Sequence, residues 1–321
     1  MSKLTPSSLI KWLAVTGVAW SAGYLYNVHF GGELSWLKAV YNEKMALAEE
    51  VDAPRRLLTT GGSGAHYSIN SEVLEQEVGI PVINLGIDGR LGLNVILDSI
   101  IEKIRPGDVV LLIPEYSMVL LDEDGLAERS ADFGLAIGKP GLGGVPAKDL
   151  AHNTLLLGVP SLRSLTKAAV DLATKGEITG YYSDPITKKG DPTTVKQRAG
   201  KWWKMSVNQS ISPSSHSFKR IKQFRQDLEA KGAHLVISLP WVYAKTDGET
   251  VDNVGKIAQE LEKIAPVIYD EETLNLQSNA ALFADTHYHL QLDVMEKRSL
   301  QIAEQIEPIL QSLPEAKGKG K

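Results

Sequence analysis

Five consecutive apolar residues, Val109-Val110-Leu111-Leu112-Ile113, constrain this chain more than any other feature. The run has no polar alternation, so as a strand it must hide both of its faces. Both faces are hidden only when helices cover them, which is the arrangement of a parallel α/β sheet. The flanks agree. Leu93, Ile96, Leu97, Ile100 and Ile104 make one apolar helical face upstream, and Arg105-Pro106-Gly107-Asp108 makes the turn between.

The same rhythm recurs on either side. Arg55–Thr60 and Pro81–Leu85 read as earlier strands, with a helix between them ending near Gly79. After a break, Phe218–Lys231 reads as a helix stopped by Gly232, His234–Pro240 as a strand, Val251–Ile264 as a helix and Val267–Tyr269 as a short last strand. A final helix places Met295, Ile302, Ile306, Ile309 and Leu313 on one face. The expected architecture is a three-layer α/β sandwich of flavodoxin-like type, with a central parallel sheet of about five strands. Ligands then belong at the carboxyl ends of the strands. Ser63 follows the first strand, Gly89 the second and Glu115 the third, so all three fall on that edge.

Residues 122 to 212 break the rhythm and read as an insertion. Gly125–Pro146 is glycine-rich without phosphate-loop spacing and is expected as a surface loop. Leu155–Leu172 is apolar enough for a packed helix, and 181–201 is polar. Trp202-Trp203, flanked by Lys201 and Lys204, reads as a sugar-stacking platform, as core, or as a membrane-surface contact. Residues 314–321 are lysine- and glycine-rich and are expected to be disordered. A net charge of −5 with no basic run in the body argues against nucleic acid as a partner. The absence of cysteine excludes disulfides, thiolate catalysis and Cys-ligated zinc.

At the N-terminus, Lys3 and Lys11 precede an apolar run that reaches Tyr26. From Leu9 to Tyr26 the only charge is Lys11, and Trp12, Tyr24 and Tyr26 flank the run as interfacial aromatics do. Residues 1–30 are therefore expected to be a single-pass transmembrane anchor, with the body outside the cytoplasm by the positive-inside rule. A cleaved signal peptide and a buried helix are the competing readings. Residues 31–53 read as a helical stalk, with Leu34, Leu37, Val40, Tyr41, Met45 and Ala48 at helical spacing.

Two distant segments carry the chemistry. Leu57–Gly64 runs from a strand into a tight turn with Ser63 between glycines, and Phe283–Leu290 offers Asp285, His287 and His289 before the final helix. A serine hydroxyl becomes a nucleophile when a base takes its proton, and the base needs an orienting group. An imidazole, titrating near ~6.5, can act as that base at neutral pH. Ser63 can also be read as a helix cap in a glycine-rich turn.

Gly61-Gly62-Ser63 resembles the Gly-Asp-Ser block of SGNH (GDSL-type) hydrolases. Asn84–Gly89 resembles their second block, and Asp285–Leu290 their closing acid-and-His-Leu block. The likeness runs over roughly residues 54 to 310, with little to match between 122 and 212. It is nearest to the membrane-anchored SGNH-like proteins of polysaccharide O-acylation, the alginate O-acetyltransferase group. The resemblance implies Ser63 as nucleophile, His289 as base with His287 as the alternative, and Asp285 as the orienting acid. It implies the Ser63 and Gly89 amides as oxyanion donors; no cofactor is expected, and the short loop spacing of Asp285, His287, His289 and Asp293, with no second cluster, argues against a metal site. It implies an esterase or O-acyltransferase acting on acyl, chiefly acetyl, esters of a cell-surface polysaccharide. A membrane-bound acyl-donor protein is a candidate partner. The chain departs from the pattern at Ile113-Pro114-Glu115-Tyr116, where the family carries an asparagine donor; the Tyr116 hydroxyl is one replacement. It departs again at Gln291 and Val294. Those departures leave two rivals, a catalytically silent glycan-binding or assembly protein on the same fold and a lipid-directed esterase.

Overall fold

The computed structural model describes residues 5–120, 124–178, 185–200, 202–208 and 215–314. It divides into two compact units: Val40–Ser130 with Asp184–Lys321, and Met1–Ala39 with Ala131–Ser183.

The first unit holds the sheet. Its strands are β1 (Leu57–Gly61), β2 (Val82–Asn84), β3 (Val109–Ile113), β4 (His234–Ser238) and β5 (Val267–Ile268). All pairings are parallel, in the order β2-β1-β3-β4-β5. That order is compatible with a flavodoxin-like fold, whose ligand crevice opens beside β1 and β3 where the winding reverses. The register sets Gly61 against Ile113, so the segments leaving β1 and β3 start side by side.

The apolar run in β3 is fully enclosed, with every residue at 0 or 1% exposure. On one face Leu57, Leu111, Ile113 and Val236 meet Leu74, Ile302, Ile306 and Leu310 from the helices Ser71–Val78 and Leu292–Ser312. Over the other face the helix Gly92–Ile100 packs on β1, the helix His216–Ala230 packs on β4, and the two helices touch. Leu93, Ile96, Leu97 and Ile100 are all buried, as their spacing predicts. At the amino ends of the strands Arg56 grips Asp108 in a two-pronged pair, Nε to Oδ1 at 2.9 Å and Nη2 to Oδ2 at 2.6 Å. Both are buried, so the pair ties β1 to β3 at the edge away from the loops of interest.

The second unit is helical. It contains the helices Pro6–Leu25, Ala147–Leu157 and Leu162–Lys175. The membrane-spanning helix expected over residues 9 to 26 is not found: among the described residues no helix is long and apolar enough to cross a membrane. Lys11, Thr16 and Ser21, with Gly17 and Gly23, dilute the apolar run. One side of that helix also has protein partners. Trp20 Nε1 donates to the Leu155 carbonyl at 3.0 Å, Asn27 Nδ2 to that of Leu157 at 2.7 Å and the Tyr26 hydroxyl to that of Ser164 at 2.8 Å. Gly23 lies so close to Gly158 that a Cβ on Gly23 would sit 2.0 Å from the Gly158 carbonyl oxygen.

Within the expected insertion, the glycine-rich stretch 125–146 includes the helix Ser130–Ala136 rather than loop alone. Leu155–Leu172 is two helical segments parted at Gly158–Ser161, and Leu155, Leu156, Val159 and Leu162 are exposed rather than packed. The basic tail beyond Pro314 and parts of 179–214 lie outside the described residues.

Candidate functional site

The site is built in the sheet unit at the carboxyl ends of β1 and β3. β1 ends on Gly61, whose φ of +148° belongs to glycine, and a Cβ there would strike the Ile113 carbonyl oxygen at 2.3 Å. The chain can therefore turn at once into the short helix Ser63–His66, with Ser63 at its first position. Close approach is possible because Gly62 is also bare: a Cβ on it would lie 2.8 Å from the Gly89 Cα.

The closing block folds into a tight loop before the helix Leu292–Ser312. Thr286 Oγ1 accepts from the amides of Tyr288 and His289 at 3.2 and 3.0 Å, and the Ala284 amide donates to the His289 carbonyl at 2.7 Å. Leu290 is fully buried, and its amide donates to the Tyr67 carbonyl at 2.9 Å. This fixes His289 beside the β1 turn, with its ring 4.4 Å from that of Tyr67.

His289 Nδ1 meets Asp285 Oδ1 at 2.8 Å. Its Nε2 is buried and has no hydrogen-bond partner among the described residues. With Nδ1 carrying the proton toward Asp285, Nε2 is an acceptor free to receive one. Burial pushes the Asp285 carboxyl up, but the His289 hydrogen bond and charge outweigh it, so the carboxyl ends below its ordinary range. His287 goes elsewhere. Its Nε2 pairs with the Trp203 carbonyl at 3.0 Å, and its ring lies 4.8 Å from Trp202 and 6.2 Å from Tyr243. Arg198 lies over Trp202 at 5.1 Å, while Trp203 is 79% exposed beside this loop.

The Ser63 hydroxyl does not donate to His289. It donates to Glu115 Oε1 at 3.3 Å, and the same oxygen accepts the Gly64 amide at 2.7 Å. Glu115 is buried. Burial raises its carboxyl pKa, Asp88 adds to the rise, and the Gly64 amide, His289 and Ser63 oppose it; the net direction is up. The Tyr116 hydroxyl is buried without a hydrogen-bond partner among the described residues, and the Arg298 guanidinium is its charged neighbour. The Tyr116 amide instead donates to the Tyr288 hydroxyl at 3.1 Å, which ties the segment after β3 to the closing loop. Gly89, the other expected oxyanion donor, opens a short 3-10 turn capped by Asp88, whose carboxylate is paired with Arg90 at 2.6 Å.

Beneath the site lies a buried polar cluster. Lys44 Nζ meets His66 Nδ1 at 2.9 Å and donates to the Gly86 carbonyl at 2.6 Å. Burial, against the charges of Asp191 and Glu43, lowers Lys44 to about 7. Burial first and Lys44 second hold His66 well below its ordinary value. His66 thus belongs to the packing under the turn, and its ring touches Tyr67 at 4.4 Å.

A scan against protein-family models finds no match, and a search of curated proteins finds no significant match.

Proposed function

We propose that this chain is a serine esterase or O-acyltransferase of SGNH-like type, acting on acyl esters of a cell-surface polysaccharide at the outer face of a membrane. One observation carries the reading. His289 is held by Asp285 on one nitrogen and leaves the other unpartnered, within the site that Ser63 opens at the β1–β3 crevice. In the reaction the Ser63 oxygen bonds the acyl carbon, and His289 Nε2 takes the hydroxyl proton. His289 then returns that proton to the departing alkoxide. Water or a sugar hydroxyl next attacks the acyl-serine, again giving its proton to His289; the bond from the acyl carbon to the Ser63 oxygen then breaks and His289 returns the proton to that oxygen. Polysaccharide as substrate is supported by the exposed Trp203 beside the closing loop, an aromatic face on which a sugar ring can stack.

The test is labelling with a fluorophosphonate probe, run alongside p-nitrophenyl acetate hydrolysis. The wild type should label and turn over, and Ser63→Ala should do neither. Equal, background-level signals from both proteins would favour a silent glycan-binding protein. That second reading has its own support, because the Ser63 hydroxyl donates to Glu115 rather than to the histidine.

A further inference from the structure

Glu115 has no counterpart among the residues through which a Ser-His-Asp site is usually read, yet the fold is shaped around its carboxyl group. Three glycines enclose it. A Cβ on Gly62 would lie 2.7 Å from Oε1, one on Gly64 3.1 Å from Oε1, and one on Gly89 3.0 Å from Oε2. Those glycines come from the turn after β1 and the turn after β2, and Glu115 from the segment after β3. A side chain at Gly62 would clash with the carboxyl and with the Met118 methyl, and one at Gly64 or Gly89 would crowd the carboxyl. Oε1 is saturated by the Gly64 amide and the Ser63 hydroxyl, while Oε2, on the Gly89 side, takes no hydrogen bond among the described residues. The carboxyl thus stands next to the nucleophile and next to the Gly89 expected to line the oxyanion hole.

Resting on the serine-enzyme reading above, we propose that Glu115 is the third oxyanion donor of this site, acting through the O–H of its carboxylic acid. An ionised carboxylate in this place would repel the negative oxygen formed when Ser63 attacks. A neutral acid stabilises it, as a neutral side-chain amide would. The titratable groups facing Glu115 are consistent. Asp88 favours the neutral acid and His289 opposes it, Tyr288 stands on the closing loop, and burial weighs heaviest. During attack the Ser63 proton passes to His289 Nε2 and the carbonyl π electrons move onto oxygen. Glu115 Oε2–H hydrogen-bonds that oxygen and keeps its proton. When the tetrahedral intermediate collapses, the C=O re-forms and the leaving alkoxide takes the proton from His289. No co-reactant is needed.

The experiment compares wild type, Glu115→Gln, Glu115→Ala and Ser63→Ala in the full chain. Acylation rates with p-nitrophenyl acetate and the fluorophosphonate are followed from acid to alkaline pH. The protonation of the Glu115 carboxyl is read separately, by the difference infrared spectrum between wild type and Glu115→Gln. Glu115→Ala should lose ~10²–10³ in acylation rate, and Glu115→Gln should recover at least about tenfold of that loss, because the amide still donates. The wild-type rate should fall on the alkaline side as the acid ionises, and Glu115→Gln should lack that limb. The infrared signal should show a protonated acid at neutral pH. Three results overturn the proposal: full rate in Glu115→Ala, a Glu115→Gln no faster than Glu115→Ala, or an ionised carboxyl at neutral pH. The second would make Glu115 a base for Ser63. If no protein labels above Ser63→Ala, the serine-enzyme reading fails and takes the donor role with it. A labelled wild type with full-rate Glu115→Ala sinks the donor role alone.

Discussion

The two histidines of the closing loop are two residues apart and do different work. His289 is held by Asp285 and leaves Nε2 free, whereas His287 is engaged by the Trp203 carbonyl and by aromatic faces. His289→Ala should therefore match the loss in Ser63→Ala, several orders of magnitude in acylation rate, and His287→Ala should cost far less. Side-by-side kinetics with the reverse ranking would move the base to His287. Both histidines and Asp285 are visible in sequence because they cluster before an amphipathic helix, and the buried Leu290 explains why the loop holds its register. Glu115 is not visible in the same way. A lone acid after a strand has no spacing to mark it. Its signal is a set of three glycines, at 62, 64 and 89, and only the folded chain shows that they surround one carboxyl.

At the level of elements, the turn after β1 depends on Gly61. An alanine there meets both the unfavourable φ and the Ile113 carbonyl oxygen, and costs of order 1–3 kcal/mol are usual for such strain. Gly61→Ala should lower the urea midpoint and slow serine labelling together, since the turn carries Ser63. A stable Gly61→Ala labelled at the wild-type rate would show that the turn relaxes freely. The helix Glu33–Glu50 adds a pH effect through Lys44. Its folded pKa of about 7 lies below the unfolded value of ~10.4, so between those limits the unfolded chain binds more protons. Lys44 should therefore make stability rise with pH across that window, fully gained above the unfolded value and absent below the folded one. Urea titrations should show the slope in wild type and its loss in Lys44→Met, and an equal slope in both would remove Lys44 as its source. The strands themselves are plain in sequence, because an uninterrupted apolar run such as Val109–Ile113 has few other homes. The shortest of the central sheet, β2 and β5, are trimmed at their ends, where pairing rather than composition decides.

On the scale of the whole molecule, two units are harder to foresee than one sheet. Apolar spacing in Leu155–Leu172 states that residues share a side of a helix; it does not state what covers that side. In the helical unit much of it is left bare. Leu9, Ile10, Trp12, Leu13, Val15 and Val18 on the first helix are exposed, as are Leu155, Leu156, Val159 and Leu162. Removing even four such side chains from water is worth roughly 6–12 kcal/mol at about 1.5–3 kcal/mol each. A lipid surface can receive them while the Lys11 stem keeps its charge in the headgroups. The attachment proposed for this protein then rests on apolar burial rather than on charge. The full chain should sediment with membranes and float with phosphatidylcholine vesicles, and high salt should not release it, because screening leaves apolar burial intact. Replacing Leu13 and Val15 by glutamate should shift it to the soluble fraction without changing the Ser63 labelling rate on a soluble ester. Salt-sensitive binding would point to a charged surface instead, and a wild-type chain found wholly in the soluble fraction would end the membrane reading.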